Sequence, residues 1–133
     1  MHSRPGRILI AEDNRILADV MRFNLQKAGF EVTVAENGTV AVQHLKSQAF
    51  DLLITDYQMP GLDGEELCKA VRQELKLDHM PIVMCSAKGF EISSEQLESS
   101  YGVSKVIFKP FSVREVVMIS QSLIATNLVC PNA

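Results

Sequence analysis

The 133-residue sequence contains no apolar run near the roughly 18 residues a membrane span needs, so it predicts neither a spanning helix nor a secretory leader. Its three cysteines, Cys68, Cys85 and Cys130, form no CxxC pair and no Cys/His metal spacing, so they read as reduced thiols of a cytosolic protein. Positive charge is also short. A formal net charge of −3 offers no broad attraction to nucleic acid or to an anionic membrane, and neither is expected as a partner. Repeats, low-complexity stretches and Gly/Ser/Pro linkers are absent, which excludes solenoids and tethered second modules. The expectation is one cytoplasmic, unprocessed domain over residues 1–133, with its core at about 7–125.

What the chain does have is globular composition, 47% hydrophobic and 22% charged, in short apolar runs that alternate with segments of helical period. Strands are predicted at Arg7–Ala11, Glu31–Ala35, Asp51–Thr55, Pro81–Cys85 and Ser104–Phe108. Between them, Leu17, Val20, Met21, Asn24 and Ala28 share a helical stripe that Gly29 ends. Ala41, His44 and Leu45 form another stripe, and Leu67, Cys68, Val71 and Leu75 a third, opened by Asp63-x-x-Glu66. A weak fourth helix follows Ser93, with only Ile92 and Leu97 clearly apolar before Gly102, and is expected to be short or mobile. The last helix starts at the box Ser112-x-x-Glu115 and carries Val113, Val116, Val117, Ser120, Leu123 and Ile124. The methionines at 21, 59, 84 and 118 read as packing, and His44 and His79 as ordinary stripe and loop residues. Five continuous apolar strands alternating with helices predict an α/β fold. Right-handed crossovers then favour a doubly wound parallel sheet of order 2-1-3-4-5, flavodoxin-like, with chemistry at the strands' carboxyl ends.

Four strands end in residues that phosphoryl chemistry uses: Glu12-Asp13, Asp56, Ser86 and Lys109. Taken singly each has a duller explanation, because Asp13 or Asn14 could cap a helix, Ser86 could be a loop hydroxyl, and Lys109 a solvated charge. Together on one edge they make a signal. Carboxylates about 4 Å apart repel by roughly 4 kcal/mol at an effective dielectric near 20, and a hard divalent cation relieves that repulsion. A phosphoryl group landing on Asp56 would then be met by metal, ammonium and hydroxyl.

On the residues Ile8-Leu9-Ile10-Ala11-Glu12-Asp13-Asn14, Asp51 to Gly64 with its Thr55-Asp56-Tyr57-Gln58-Met59-Pro60-Gly61 turn, Ser86-Ala87 and Lys109-Pro110-Phe111, the chain resembles the receiver domain of two-component response regulators. The likeness covers about Arg7 to Ala125. It implies a CheY-like signalling domain rather than an enzyme acting on outside substrates. Asp56 would take phosphate from a histidine kinase or phosphotransfer protein, and the switched form would signal to a downstream effector. It further implies Mg²⁺ (or Mn²⁺) held by Asp13, Asp56 and the Gln58 carbonyl with Glu12 acting through water, and a cis peptide between Lys109 and Pro110. Ser86 and Lys109 would meet the phosphoryl group, while Ala87, Lys88, Val106 and Pro110 fall at positions that switch or tune, and Gln58 and Lys88 would set its lifetime. Two departures stand out. Glu12 replaces the more frequent Asp, and Val106 sits where an aromatic usually rotates inward. Two alternatives remain: a pseudo-receiver that binds partners without phosphorylation, and a Mg²⁺-dependent phosphohydrolase, which would want an acid at Gln58.

Overall fold

The computed structural model describes residues 5–87 and 94–129. Lys88, Ile92, Ser93 and Cys130, singled out from the sequence, lie outside them. Strands β1 (Arg7–Ala11), β2 (Glu31–Ala35), β3 (Leu52–Asp56), β4 (Ile82–Ala87) and β5 (Lys105–Lys109) form one parallel sheet of order β2-β1-β3-β4-β5, the order expected. β3, β4 and β5 start one residue later than predicted and run on through their polar ends, so Asp56, Ser86 and Lys109 belong to the strands themselves.

Helices α1 (Arg15–Lys27), α2 (Gly38–Ser47), α3 (Gly64–Lys69), α4 (Ser94–Tyr101) and α5 (Val113–Val129) cover both faces. Because side chains alternate along a strand, Ile8, Ile10, Leu52, Ile54, Val83, Cys85 and Ile107 face α1 and α5, where they meet Met21, Leu25, Val116 and Ile124. The other face buries Leu9, Leu53, Ile82 and Met84 against Ala41, Leu45, Leu67, Cys68 and Leu97 of α2, α3 and α4, and against Val71 just beyond α3. Among the described residues no helix is long and apolar enough to cross a membrane.

Three local features depart from the expected pattern. On α1 the buried stripe is Ala18, Met21 and Leu25, while Val20 and Ala28 are exposed. The helix end explains the rotation. Gly29, at φ 103°, donates to Gln26 O at 3.0 Å, and Phe30 N donates to Leu25 O at 3.1 Å, a Schellman closure that sets Leu25 against Phe30 in the core. Next, α3 continues into a π-helical turn, Ala70–Glu74, closed by Leu75 N to Ala70 O at 2.9 Å, which the apolar periodicity did not distinguish from α-helix. Finally, Met118 is 58% exposed, because it lies two residues, or about 200° around the helix, from the buried Val116. The box at Asp63 and Glu66 is reciprocal, with both bonds at 2.9 Å, and α4 is short, as expected.

Candidate functional site

The sheet register decides what meets at its carboxyl edge. Ala11 pairs with Thr55, so Glu12 and Asp56 leave their strands at one level; Asp56 pairs with Cys85 and Cys85 with Ile107, so Lys109 stands two residues further along β5 and its long side chain reaches back to Asp56. Capping of α1 falls to Asn14, whose Oδ1 accepts from Leu17 N at 3.1 Å, and not to Asp13. Asn14 N also donates to Glu12 Oε2 at 3.1 Å and orients that carboxylate.

Glu12, Asp13 and Asp56 each offer a carboxylate oxygen, all within 4.8 Å of one another. Glu12 and Asp56 are almost wholly buried, at 2% and 6% exposure. Lys109 Nζ lies 3.0 Å from Asp56 Oδ1 and 3.5 Å from Glu12 Oε1. One ammonium thus faces three carboxylates, and the local charge stays negative. Burial, with the Asp56 charge beside it, pushes the Glu12 carboxyl above its ordinary range. Burial likewise raises Asp56, against the opposing pull of the Lys109 hydrogen bond and charge. For Lys109, burial favours the neutral amine, yet the Asp56 hydrogen bond and the two carboxylate charges outweigh it and raise its pKa.

This donor set suits a hard divalent cation: oxygen ligands only, excess negative charge, and one exposed member, Asp13, on the open side. The three carboxylates already lie close enough together to gather round one such ion, which would offset their mutual repulsion.

Ser86, fully buried on β4, is one residue beyond the partner of Asp56. Among the described residues its hydroxyl donates to Ala87 O, at 3.5 Å, far longer than the ~2.8 Å of a good O–H···O bond, which leaves it able to turn to a better acceptor. Thr55 Oγ1 donates to Asp56 O at 3.0 Å, and Tyr57 N to Cys85 O at 2.7 Å, fixing the backbone on both sides of the acid. Of the remaining predicted positions, Gln58 is exposed on the turn after β3, Ala87 ends β4 opposite Lys109, and Val106 is half-buried against the α2–α4 face. Pro110 follows a cis peptide and is exposed.

Cys85 lies next to these carboxylates, a placement that neither cysteine spacing nor apolar periodicity signals. Burial, with the charges of Asp56 and Glu12, pushes its thiol pKa up and keeps it an inert neutral group. Burial similarly takes Cys68 up to about 12. Gly64 matters more than its place in the Asp63-Gly64 pair suggested. Its N–H donates to Tyr57 O at 2.9 Å, and a Cβ there would stand 2.5 Å from Asp56 O and 2.8 Å from Tyr57 Cα. Both are backbone atoms, so relief requires moving the strand end. Gly64→Ala is expected to destabilise by about 2–3 kcal/mol in urea unfolding and to displace Asp56; wild-type stability would refute this close approach.

The family model for the response regulator receiver domain matches residues 8–121. The chain belongs to this family. A candidate response regulator from Chloroflexus aurantiacus J-10-fl superposes on the receiver domain with TM-score 0.81 at 35% identity, covering 91% of this chain and 98% of that one. The chemotaxis protein CheY4 of Vibrio cholerae gives 0.80 at 27% identity, over 90% and 98% of the two chains. The signal receiver domain of a signal transduction histidine kinase from Syntrophus aciditrophicus gives 0.80 at 26%, over 96% and 95%. The receiver domain is a signalling module of two-component systems, in which histidine kinases and downstream effectors are the partners.

Proposed function

We infer that this receiver domain is a phosphorylation switch: Asp56 accepts a phosphoryl group from the phosphohistidine of a kinase or phosphotransfer protein in a divalent-cation-dependent step. The observation that carries this is the Lys109 ammonium 3.0 Å from Asp56 inside a three-carboxylate cluster. An Asp56 carboxylate oxygen attacks phosphorus, the P–N bond to imidazole breaks, and the imidazole leaves with the electron pair and is protonated. Lys109 neutralises charge on the transferred group, and the Ser86 hydroxyl turns to donate to one of its oxygens. Asp13, Asp56 and the Gln58 carbonyl would hold Mg²⁺ or Mn²⁺, with Glu12 acting through water, and the ion would supply positive charge against the phosphoryl oxygens. Gln58, exposed on the turn after β3, and Lys88, the residue that follows Ala87 in the sequence, would be the positions that tune the lifetime of the acyl phosphate. An effector then reads a population shift, because the new anion favours the conformation in which Ser86 is drawn inward.

Incubation with Mg²⁺ and acetyl phosphate or phosphoramidate, followed by intact mass, tests the reading. One stable phosphoryl addition is expected for the wild type and none for Asp56→Asn. Repeated donor turnover without an adduct would favour a phosphohydrolase, and no reaction would favour a phosphorylation-independent module. Metal binding has its own readout. At 100-fold excess over its dissociation constant, Mg²⁺ should stabilise the wild type by about 2.7 kcal/mol, seen as a rise in melting temperature. Asp13→Ala should lose most of that rise while folding normally; a full rise in the variant would remove Asp13 from the site.

A further inference from the structure

The amino ends of the strands carry a second concavity, at the opposite edge of the sheet from Asp56. α2 ends at Ser47 and leads into β3 through residues 48–51, and the π-helical turn leads into β4 through residues 75–81. These two connections enclose an open cavity of about 560 Å³, a size that suits a small molecule. Its apolar lining is Leu45 and Met80, both buried, with Phe50 and Leu77, both half-buried. Lys46, Lys76 and His79, all exposed, line it too, against a single acid, Asp78. Two ammonium groups thus stand against one carboxylate in a chain whose net charge is −3, and among the described residues neither lysine is in an ion pair.

Lys76 is also the one non-glycine residue with a positive φ among those described, at 57°. It follows the π-helical turn at the place glycine usually takes, because a Cβ is strained there. Leu75 N donates to Ala70 O and Leu77 N to Val71 O, both at 2.9 Å, and these bonds hold the conformation. Arg72 fixes the next residue. Its Nη1 donates to Leu77 O at 2.5 Å, while Nε and Nη2 donate to Tyr101 O at 2.6 Å and Gly102 O at 3.2 Å. This wall of the cavity is therefore formed in advance, and little ordering is left for a ligand to impose. Strain kept at a cationic residue on the rim of a formed cavity points to a use for its charge.

We propose that this cavity binds a small organic carboxylate with an apolar body, whose charge is met by Lys46 and Lys76 and whose body covers Phe50 and Leu77. The site stands whether or not Asp56 is a phosphoacceptor, because it shares no residue with the carboxylate cluster.

Titrating the ¹⁵N-labelled full chain with 2-naphthoate, and separately with the neutral 2-naphthalenemethanol, tests the site by amide chemical shifts. For 2-naphthoate the shifts should centre on residues 45–50 and 76–80, with a dissociation constant on the order of 1 mM for a probe of that size. The neutral probe should bind several-fold more weakly. Lys76→Asn removes the charge with a residue that tolerates a positive φ, so it should melt at or above the wild-type temperature and yet weaken 2-naphthoate by about 2- to 5-fold. Lys46→Gln should weaken it to a similar degree, and it carries the charge test alone if Lys76→Asn proves unstable. Shifts scattered over the surface or centred on Asp56 would overturn the proposal. So would equal affinity for the two probes, or wild-type affinity in the folded lysine variants.

Discussion

Replacing Lys109 by methionine is expected to slow phosphoryl addition to Asp56 by about 100- to 1,000-fold, the usual loss when one donor aimed at developing transition-state charge is removed. Methionine keeps most of the aliphatic stem, so packing at the end of β5 changes little while the ammonium at 3.0 Å from Asp56 and 3.5 Å from Glu12 disappears. The three carboxylates then face one another without a counter-charge, and Glu12 and Asp56 should hold their protons to still higher pH. Breaking a buried pair can cost 3–5 kcal/mol or so, but Lys109 is 29% exposed and water screens it, so about 1–2 kcal/mol of stability is the expected loss. Mg²⁺ should return that stability by neutralising the same carboxylates. It should not return the rate if the ammonium is needed to neutralise charge on the transferred group. Phosphoryl addition by mass over time, beside thermal unfolding with and without Mg²⁺, separates the two effects. A variant phosphorylated at the wild-type rate would show that Lys109 is a structural counter-ion only.

The placement of these groups was legible in the sequence because each sits at the end of a continuous apolar run, and a parallel doubly wound sheet brings such ends to one edge. The order of the strands followed from alternation and crossover handedness for the same reason. Boundaries slipped where polarity and pairing disagree. Asp56 and Lys109 are charged, yet each continues the ladder opposite Cys85 and Ala87, and the ladder defines the strand. The face of α1 slipped because two overlapping stripes share Leu17 and Met21, and only the Leu25–Phe30 closure after Gly29 selects one of them. The hydrogen bonds from the Tyr101 hydroxyl to Glu65 and from Arg72 Nε to the Tyr101 carbonyl were not legible at all. Their partners lie 36 and 29 residues away, and each bond depends on side-chain reach across a finished fold, to which neither periodicity nor motif spacing responds.

Asp56→Asn should raise the stability of the metal-free protein, although it removes the proposed phosphoacceptor. The Asp56 carboxylate is buried beside Glu12 and Asp13, and at about 4 Å each such repulsion is worth roughly 4 kcal/mol at an effective dielectric near 20, against one attraction of like size to Lys109. Asp13 is exposed and its share is screened, so the net gain is about 1 kcal/mol, or roughly 3–5 °C in melting temperature for a domain of this size. The sign of the pH dependence follows from the raised pKa. Between the folded value and the ordinary 3.8, the folded protein binds more protons at Asp56 than the unfolded chain does, so this group's destabilisation is relieved as pH falls and is absent below that window. Other carboxyls titrate in the same range, and the difference between wild type and Asp56→Asn isolates this one. The stability gap should be widest near neutral pH, narrow as the solution is acidified, and shrink or reverse when Mg²⁺ is added at neutral pH, because the wild type recovers by binding it. Thermal unfolding after chelation, at pH 7.5 and at progressively lower pH, measures the gap. An Asp56→Asn variant less stable than wild type near neutrality would mean that the Lys109 pair outweighs the crowding of negative charge, and that the resting site does not need a cation.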